Sequence, residues 1–332
     1  MKVKIGMIGA GRMGTRHLAI LKKIEEIEIC GVADLVEASR NKVAAEFGIK
    51  AYSAINDLLE KEKPDAVYIT TPIGMHLENI KTAFKAGAHV FCEKPLVASN
   101  KEGEELLLLA KKHKGKIIFT GLAWRYAEST QAIKAAVQNG VIGEVRQFRV
   151  ACGGPSVGKR PPWFEDRKIA VRGGMLDTGV HFFDMVAWTL GSDFDAVYAF
   201  NDQTEEKIDV NSSITTRLSN GIIGSMQFTS ETPMSNLVEY FGKGGVISFG
   251  FGNEFTIKHP GEADKVVKTG NNDRFLNMSR DFIRTIIEGN DSPISVVEAL
   301  RATAVAEAGY KSSETGKSEK VATVVINGKI AL

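Results

Sequence analysis

Six residues, Gly9-Ala10-Gly11-Arg12-Met13-Gly14, lie between the strand-like run Val3-Lys4-Ile5-Gly6-Met7-Ile8 and a helical apolar pattern that continues through Leu21. Three glycines at this spacing, entered from a strand and left by a helix, constrain the fold more than any other feature of the chain. Gly9 permits a tight turn, Gly11 lets a bulky group approach the backbone, and Gly14 allows close helix–strand contact. The helix start near Arg12 offers unpaired N–H groups and the positive end of a dipole, which suit a phosphate. A second apolar run, Ile27 to Ala33, ends in Asp34, at roughly the twenty-residue separation of an acid that binds a ribose. Together these signals predict a dinucleotide site built from Gly9, Gly11, Arg12, Met13, Gly14 and Asp34. A structural turn with no ligand is the bland alternative. Asp34 accepts from ribose hydroxyls and repels a 2′-phosphate, and its neighbour Leu35 is no arginine, so NAD is expected over NADP.

From Met1 to about Gly121, strands predicted over 3–8, 27–33, 65–70, 88–92 and 117–120 alternate with helices over 12–23, 36–47, 53–61, 75–86 and 99–113. That alternation predicts an α/β fold, with a doubly wound parallel sheet as an N-terminal Rossmann domain over 1–121. The ends of its strands carry Thr71-Pro72 and Glu93-Lys94-Pro95, so these segments and the glycine loop open onto one crevice. After Gly121 the pattern changes. A helix over 126–138, a strand over 144–151 and a glycine- and proline-rich stretch over 153–174 precede a helix over 175–190. Strand-like runs follow at 194–200, 209–218, 222–230, 236–241, 246–250 and 254–258, then helices over 275–288 and 295–313 and a strand near 321–326. This predicts a C-terminal α+β domain over 122–332 with a large, mostly antiparallel sheet for substrate binding and oligomerisation. Its last segment is free to pack back on the first domain.

The length of 332 residues is comfortable for two domains, and 43% hydrophobic residues supply their cores. A net charge of +2 gives no electrostatic case for nucleic acid or a membrane surface. Cys30, Cys92 and Cys152 are far apart and read as reduced core thiols. His17, His89, His113 and His259 show no ligand spacing, so no metal is expected. The first strand begins at once, and no apolar run approaches the roughly eighteen residues of a membrane span, so a cytoplasmic protein is expected.

Lys94 follows the buried run Ala88 to Cys92 and precedes a proline that stops the strand, which holds an ammonium at the mouth of the crevice. Asp177 and His181, four residues apart in a predicted helix, share a face, so the carboxylate can orient the imidazole. With a dinucleotide site already inferred, a catalytic reading is preferred to that of a core histidine. Gly173-Gly174 at the helix start imply a close backbone approach. Trp163, in the long segment 153–174, could stack on a ligand or anchor the loop. The strands of the second domain outnumber the helices available to cover them, which predicts a partly apolar open face and a homodimer or homotetramer.

The glycine loop, Thr71-Pro72 with His76, Glu93-Lys94-Pro95, and Gly173-Gly174 through Asp177 to His181 occur in an order and spacing that resemble the glucose–fructose oxidoreductase/inositol dehydrogenase family. The resemblance implies Lys94, Asp177 and His181 as the catalytic group and a cis peptide at Lys94-Pro95. It adds Thr71, Pro72, His76, Glu93 and Lys94 to the cofactor site; for His76 a local hydrogen bond is the equal alternative. Arg125 and Trp163 join the catalytic three at the substrate. Ile73 stands where many relatives carry asparagine. The implied activity is hydride transfer between NAD and a secondary alcohol or ketone of a sugar or cyclitol. An NAD-dependent glycosidase and a non-catalytic NAD- or sugar-binding regulator are the alternatives.

Overall fold

Val3–Ile8 (β1), Ile27–Ala33 (β2), Lys50–Tyr52 (β3), Ala66–Ile69 (β4), His89–Cys92 (β5) and Ile118–Thr120 (β6) pair in parallel in the order β3-β2-β1-β4-β5-β6. The helices between them are Arg12–Leu21 (α1), Glu37–Phe47 (α2), Ile55–Glu62 (α3), His76–Lys85 (α4) and Asn100–Lys112 (α5). The predicted doubly wound sheet is therefore present. β3 escaped prediction because it has three residues and no buried side chain. Tyr52 and Lys50 of β3 instead bind the buried carboxylate of Glu62 at the end of α3.

The computed structural model describes residues 2–156, 164, 167–322, 325–326 and 329–330. Contacts divide the chain into two units: Met1–Ala123 with Asp273–Leu300 and Val325–Leu332, and Trp124–Asn272 with Arg301–Val324. In the first unit, the helix Arg274–Glu288 lays Phe275 against His17, and Phe282 against Tyr68, Phe91 and Phe119, so a late segment covers aromatic side chains of the early sheet. The Asp273 carboxylate starts this helix by accepting from the Phe275 and Leu276 N–H groups.

The second unit contains Glu128–Gln138 (α6), Val145–Gly153 (β7), Arg167–Ala170 (α7), Gly174–Asp177 (α8) and Gly179–Leu190 (α9). Phe194–Asn201 (β8), Asn211–Leu218 (β9), Ile223–Thr229 (β10), Leu237–Gly242 (β11), Gly245–Phe249 (β12), Glu254–Lys258 (β13) and Lys265–Lys268 (β14) follow. After Arg274–Glu288 (α10) and Val296–Thr315 (α11), Glu319–Lys320 (β15) completes a nine-stranded sheet ordered β14-β13-β12-β11-β7-β10-β9-β8-β15. β7 and β10 run parallel and the other pairs antiparallel. Val325–Ile326 (β16) and Lys329–Ile330 (β17) form a separate pair.

Alternation along these strands buries Phe148, Ile214, Met226 and Tyr240 while leaving Tyr198, Phe200 and Ile223 exposed. Phe183 of α9 packs edge-on against Phe194 and Phe228 on the covered side. The helix expected over 175–190 is interrupted: α8 ends at Asp177, α9 begins at Gly179, and the His181 N–H bonds the Thr178 carbonyl only three residues back, at 3.2 Å. No helix among the described residues is long and apolar enough to cross a membrane.

Candidate active site

Parallel register brings the ends of β1, β2, β4 and β5 to one level, with Ile8 opposite Ala33 and Ile69, and Ile69 opposite Cys92. The residue after each strand bonds back to a neighbour: Gly9 N–H to Ala33 O, Thr70 N–H to Ile8 O, and Glu93 N–H to Ile69 O. The order reverses between β1 and β4, and such a switch point is where open α/β sheets bind ligands.

Gly9 has φ of +105°, which a side chain would strain, and the Thr70 hydroxyl donates to its carbonyl at 3.0 Å. A Cβ at Gly14 would stand 2.1 Å from the Gly9 carbonyl oxygen, whereas one at Gly11 would meet nothing within 4 Å. The close packing of helix on strand thus falls to Gly14, and Gly11 keeps the loop open. α1 starts with no side-chain cap, and Arg12 is exposed beside half-buried Met13. An uncapped helix start above an open glycine is a cradle for a pyrophosphate, so these residues fit a dinucleotide. Asp34, half-buried at the end of β2, accepts from Ala10 N–H at 2.6 Å and Val36 N–H at 2.8 Å. Its carboxylate therefore holds the glycine loop while retaining further lone pairs for a ribose. Arg40 lies in α2 but reaches back to the carbonyls of Asp34 and Leu35, at 3.5 and 3.3 Å.

At the ends of β4 and β5, Thr71 and Pro72 are half-buried and the Lys94–Pro95 peptide is cis. His76 is 1% exposed, with Nδ1 2.8 Å from the Pro95 carbonyl and Nε2 2.9 Å from that of Thr71. Burial pulls its pKa below the ordinary histidine value, against the opposing pull of the carbonyls. The ring thus lies between two backbone carbonyls, and in its neutral form it has one N–H to donate to them. Glu93 is also buried: one oxygen pairs with Nε2 of His17 at 2.6 Å and the other accepts from the Lys94 N–H at 3.2 Å. Gly121 leaves room for this carboxyl, since a Cβ there would come within 3.2 Å of it. Lys94 itself is half-buried.

In the second unit, Asp177 and His181 are half-buried on successive short helices rather than on one. The close approach implied by Gly173-Gly174 is to Asp209, whose carbonyl oxygen would stand 2.0 Å from a Cβ at Gly173. Asp209 escaped the sequence reading, because a lone aspartate before a strand carries no pattern. Arg125, expected at the substrate, has its guanidinium on Asp184 of α9, with Nε–Oδ2 at 3.0 Å and Nη2–Oδ1 at 2.6 Å. Trp163 lies outside the described residues.

Residues 3–121 match an oxidoreductase family with an NAD-binding Rossmann fold, and residues 130–248 match the GFO/IDH/MocA C-terminal domain. Myo-inositol 2-dehydrogenase of Thermotoga maritima is 28% identical over 340 residues, which covers 97% of this chain and 100% of that protein. D-glucoside 3-dehydrogenase of Escherichia coli is 29% identical over 213 residues, covering 62% of this chain and 58% of its own. The structure of levoglucosan dehydrogenase with NADH and L-sorbose shares the fold with a TM-score of 0.88 at 21% identity, over 97% of this chain and 100% of that one. The chain belongs to the GFO/IDH/MocA oxidoreductase family, and its first 121 residues carry that family's NAD-binding Rossmann domain.

Proposed function

We propose that this protein is an NAD-dependent dehydrogenase acting on a secondary alcohol of a sugar or cyclitol. The observation that carries the reading is the open cradle at Gly11, bordered by Asp34 and on the same sheet edge as the turn that holds Lys94. The names of the relatives, an inositol 2-dehydrogenase and a D-glucoside 3-dehydrogenase, support the substrate class. Gly9, Gly11, Arg12, Met13, Gly14 and Asp34 hold the cofactor, with Thr71, Pro72, His76 and Glu93 shaping its far end. NAD is preferred over NADP because Asp34 repels a 2′-phosphate.

A nicotinamide held by these residues would supply the hydride chemistry at the reacting carbon. His181 takes the hydroxyl proton, a task suited to an imidazole, whose ordinary pKa lies near neutrality. Asp177 orients that ring and stabilises its charged form. Lys94 donates to the reacting oxygen and stabilises the negative charge that grows there. Arg125 acts indirectly, by fixing α9 through Asp184.

A panel of myo-inositol, D-glucose, methyl D-glucoside and D-glucuronate, followed by NADH absorbance, tests the activity. With the best of these, His181→Ala and Lys94→Ala should each lower kcat by about a hundredfold or more. Near-normal turnover in both variants would sink the assignment. Self-association is part of the same reading, supported by exposed Tyr198, Phe200 and Ile223 on one face of the large sheet. Light scattering should give a multiple of 36.1 kDa, and Phe200→Arg with Ile223→Arg should reduce it to the monomer.

A further inference from the structure

We infer that Asp209 is a positioning residue for the proton-transfer group, setting the start of α8 and through it Asp177 and His181. The inference rests on the roles proposed above for those two residues. Asp209 is 1% exposed, yet it precedes a strand and touches neither of them in sequence. Oδ1 accepts from the Gly173 N–H at 2.8 Å and the Tyr310 hydroxyl at 2.6 Å. Oδ2 accepts from the Met175 N–H at 2.7 Å and the Ser212 hydroxyl at 3.0 Å. Its main-chain carbonyl accepts from the Gly174 N–H at 3.0 Å.

The N–H groups of Gly173, Gly174 and Met175 open α8, where a helix has no internal acceptors for them. Gly173, at the N-cap, has no side chain to serve them. Asp209 does from 36 residues away what a capping side chain does locally. A carboxylate has about four acceptor positions, and two backbone N–H groups and two hydroxyls supply four donors. Such charge-assisted bonds are shorter and stiffer than neutral ones. The Tyr310 hydroxyl is correspondingly locked as a donor: burial, and then the Asp209 charge, push its pKa well above the ordinary tyrosine value.

The anchored backbone leads directly to the proposed catalytic residues. Asp177 N–H bonds Gly173 O at 2.8 Å, Thr178 N–H bonds Gly174 O at 2.9 Å, and His181 N–H bonds Thr178 O at 3.2 Å. The first two links end on residues that Asp209 holds, and the third ends on Thr178, which the second link fixes. α8 is a single turn, so its orientation depends on bonds from outside it, those to Asp209 and the one from the Leu176 N–H to the Tyr310 hydroxyl at 3.3 Å. A displacement of about 1 Å at a proton-transfer group can cost about a hundredfold in rate.

Asp209→Asn is the decisive variant, because an amide has one oxygen and turns an NH2 toward two of the four donors. With the best substrate of the panel, kcat should fall about tenfold to a hundredfold, while KM and the NADH dissociation constant stay within about threefold. Tyr310→Phe removes one donor to the carboxylate together with the acceptor of the Leu176 N–H, so kcat should fall about twofold to fivefold with the same split. A folded Asp209→Asn enzyme with kcat within about twofold of the parent would overturn the inference. So would parallel losses in kcat, KM, NADH affinity and thermal midpoint, which mark a general structural role. If Asp209→Asn is insoluble, an unchanged kcat in Tyr310→Phe overturns it instead. His181→Ala separates the two levels: full turnover there defeats the proposed function, whereas loss there with an active Asp209→Asn defeats only the role of Asp209.

Discussion

Nε2 of His17 donates to Oε1 of Glu93 at 2.6 Å, and the other oxygen of Glu93 accepts from the Lys94 N–H. This joins the helix after the glycine loop to the turn that carries Lys94. The imidazole is fully buried among the rings of Tyr68, Phe91 and Phe275. The carboxylate selects the tautomer with the proton on Nε2, since an ionised carboxylate only accepts. His17→Leu removes the imidazole donor from Oε1 of that buried carboxylate and should cost about 2–3 kcal/mol, read from urea unfolding. Unchanged stability would mean that the bond contributes nothing to the fold.

Gly11 and Gly14 should respond differently to substitution, although both belong to one motif. Gly14→Ala places a Cβ 2.1 Å from a backbone oxygen, so both the thermal midpoint and NADH binding should fall. Gly11→Val meets nothing within 4 Å of its Cβ, so the protein should keep its thermal midpoint and lose NADH binding alone. Fluorescence titration with NADH and differential scanning fluorimetry read the two properties separately. Equal behaviour in the two variants would refute the cradle at Gly11.

Asp34 should set cofactor choice. The parent is expected to favour NAD over NADP in kcat/KM by about tenfold or more, by repulsion of the 2′-phosphate. Asp34→Ser should narrow that ratio, with Arg40 already reaching the Asp34 and Leu35 carbonyls as a neighbouring cation. The same change removes an acceptor from the Ala10 N–H, so NAD efficiency should fall as well. A preference for NADP in the parent would defeat the role given to Asp34.

Glu62 predicts a pH dependence. The Lys50 ammonium first, then the Tyr52 hydroxyl and Lys4, hold its carboxyl at about 2, below the ordinary 4.5. Its Tyr52 partner is pushed up to about 12, mainly by burial. A depressed folded pKa stabilises the protein above 4.5, and the benefit disappears as pH falls through about 2. Glu62→Gln should therefore melt below the parent at pH 7, and the difference should close between about 4.5 and about 2. A constant difference across that range would show that the charge of Glu62 is not what matters.

The first 121 residues were legible because their signals are local. A strand, three glycines and a helix occupy about twenty residues, and the periodicity of each element is set by its own backbone geometry. The parallel arrangement follows from the alternation, which permits few other topologies. The strands of the second unit were legible individually, since burial of one face imposes a period of two. Their order was not, nor was the parallel pairing of β7 with β10, because pairing depends on partners far along the chain. β14 was missed because an exposed edge strand of four residues needs no apolar pattern.

Buried polar partnerships were the part that only tertiary structure decided. His17 and Glu93 are 76 residues apart, Arg125 and Asp184 are 59 apart, and Asp209 and Tyr310 are 101 apart. Each of these residues reads on its own as an ordinary surface or core group. A carboxylate can enter a dry interior only where donors already wait for it, and those donors are brought there by the packing of other elements. The sequence alone therefore determined a dinucleotide-binding sheet and a second, mostly antiparallel one. Folding determined which carboxylates hold the turns at Lys94 and Gly173 and the glycine loop at Ala10, because long-range burial selects among donors that spacing leaves equivalent.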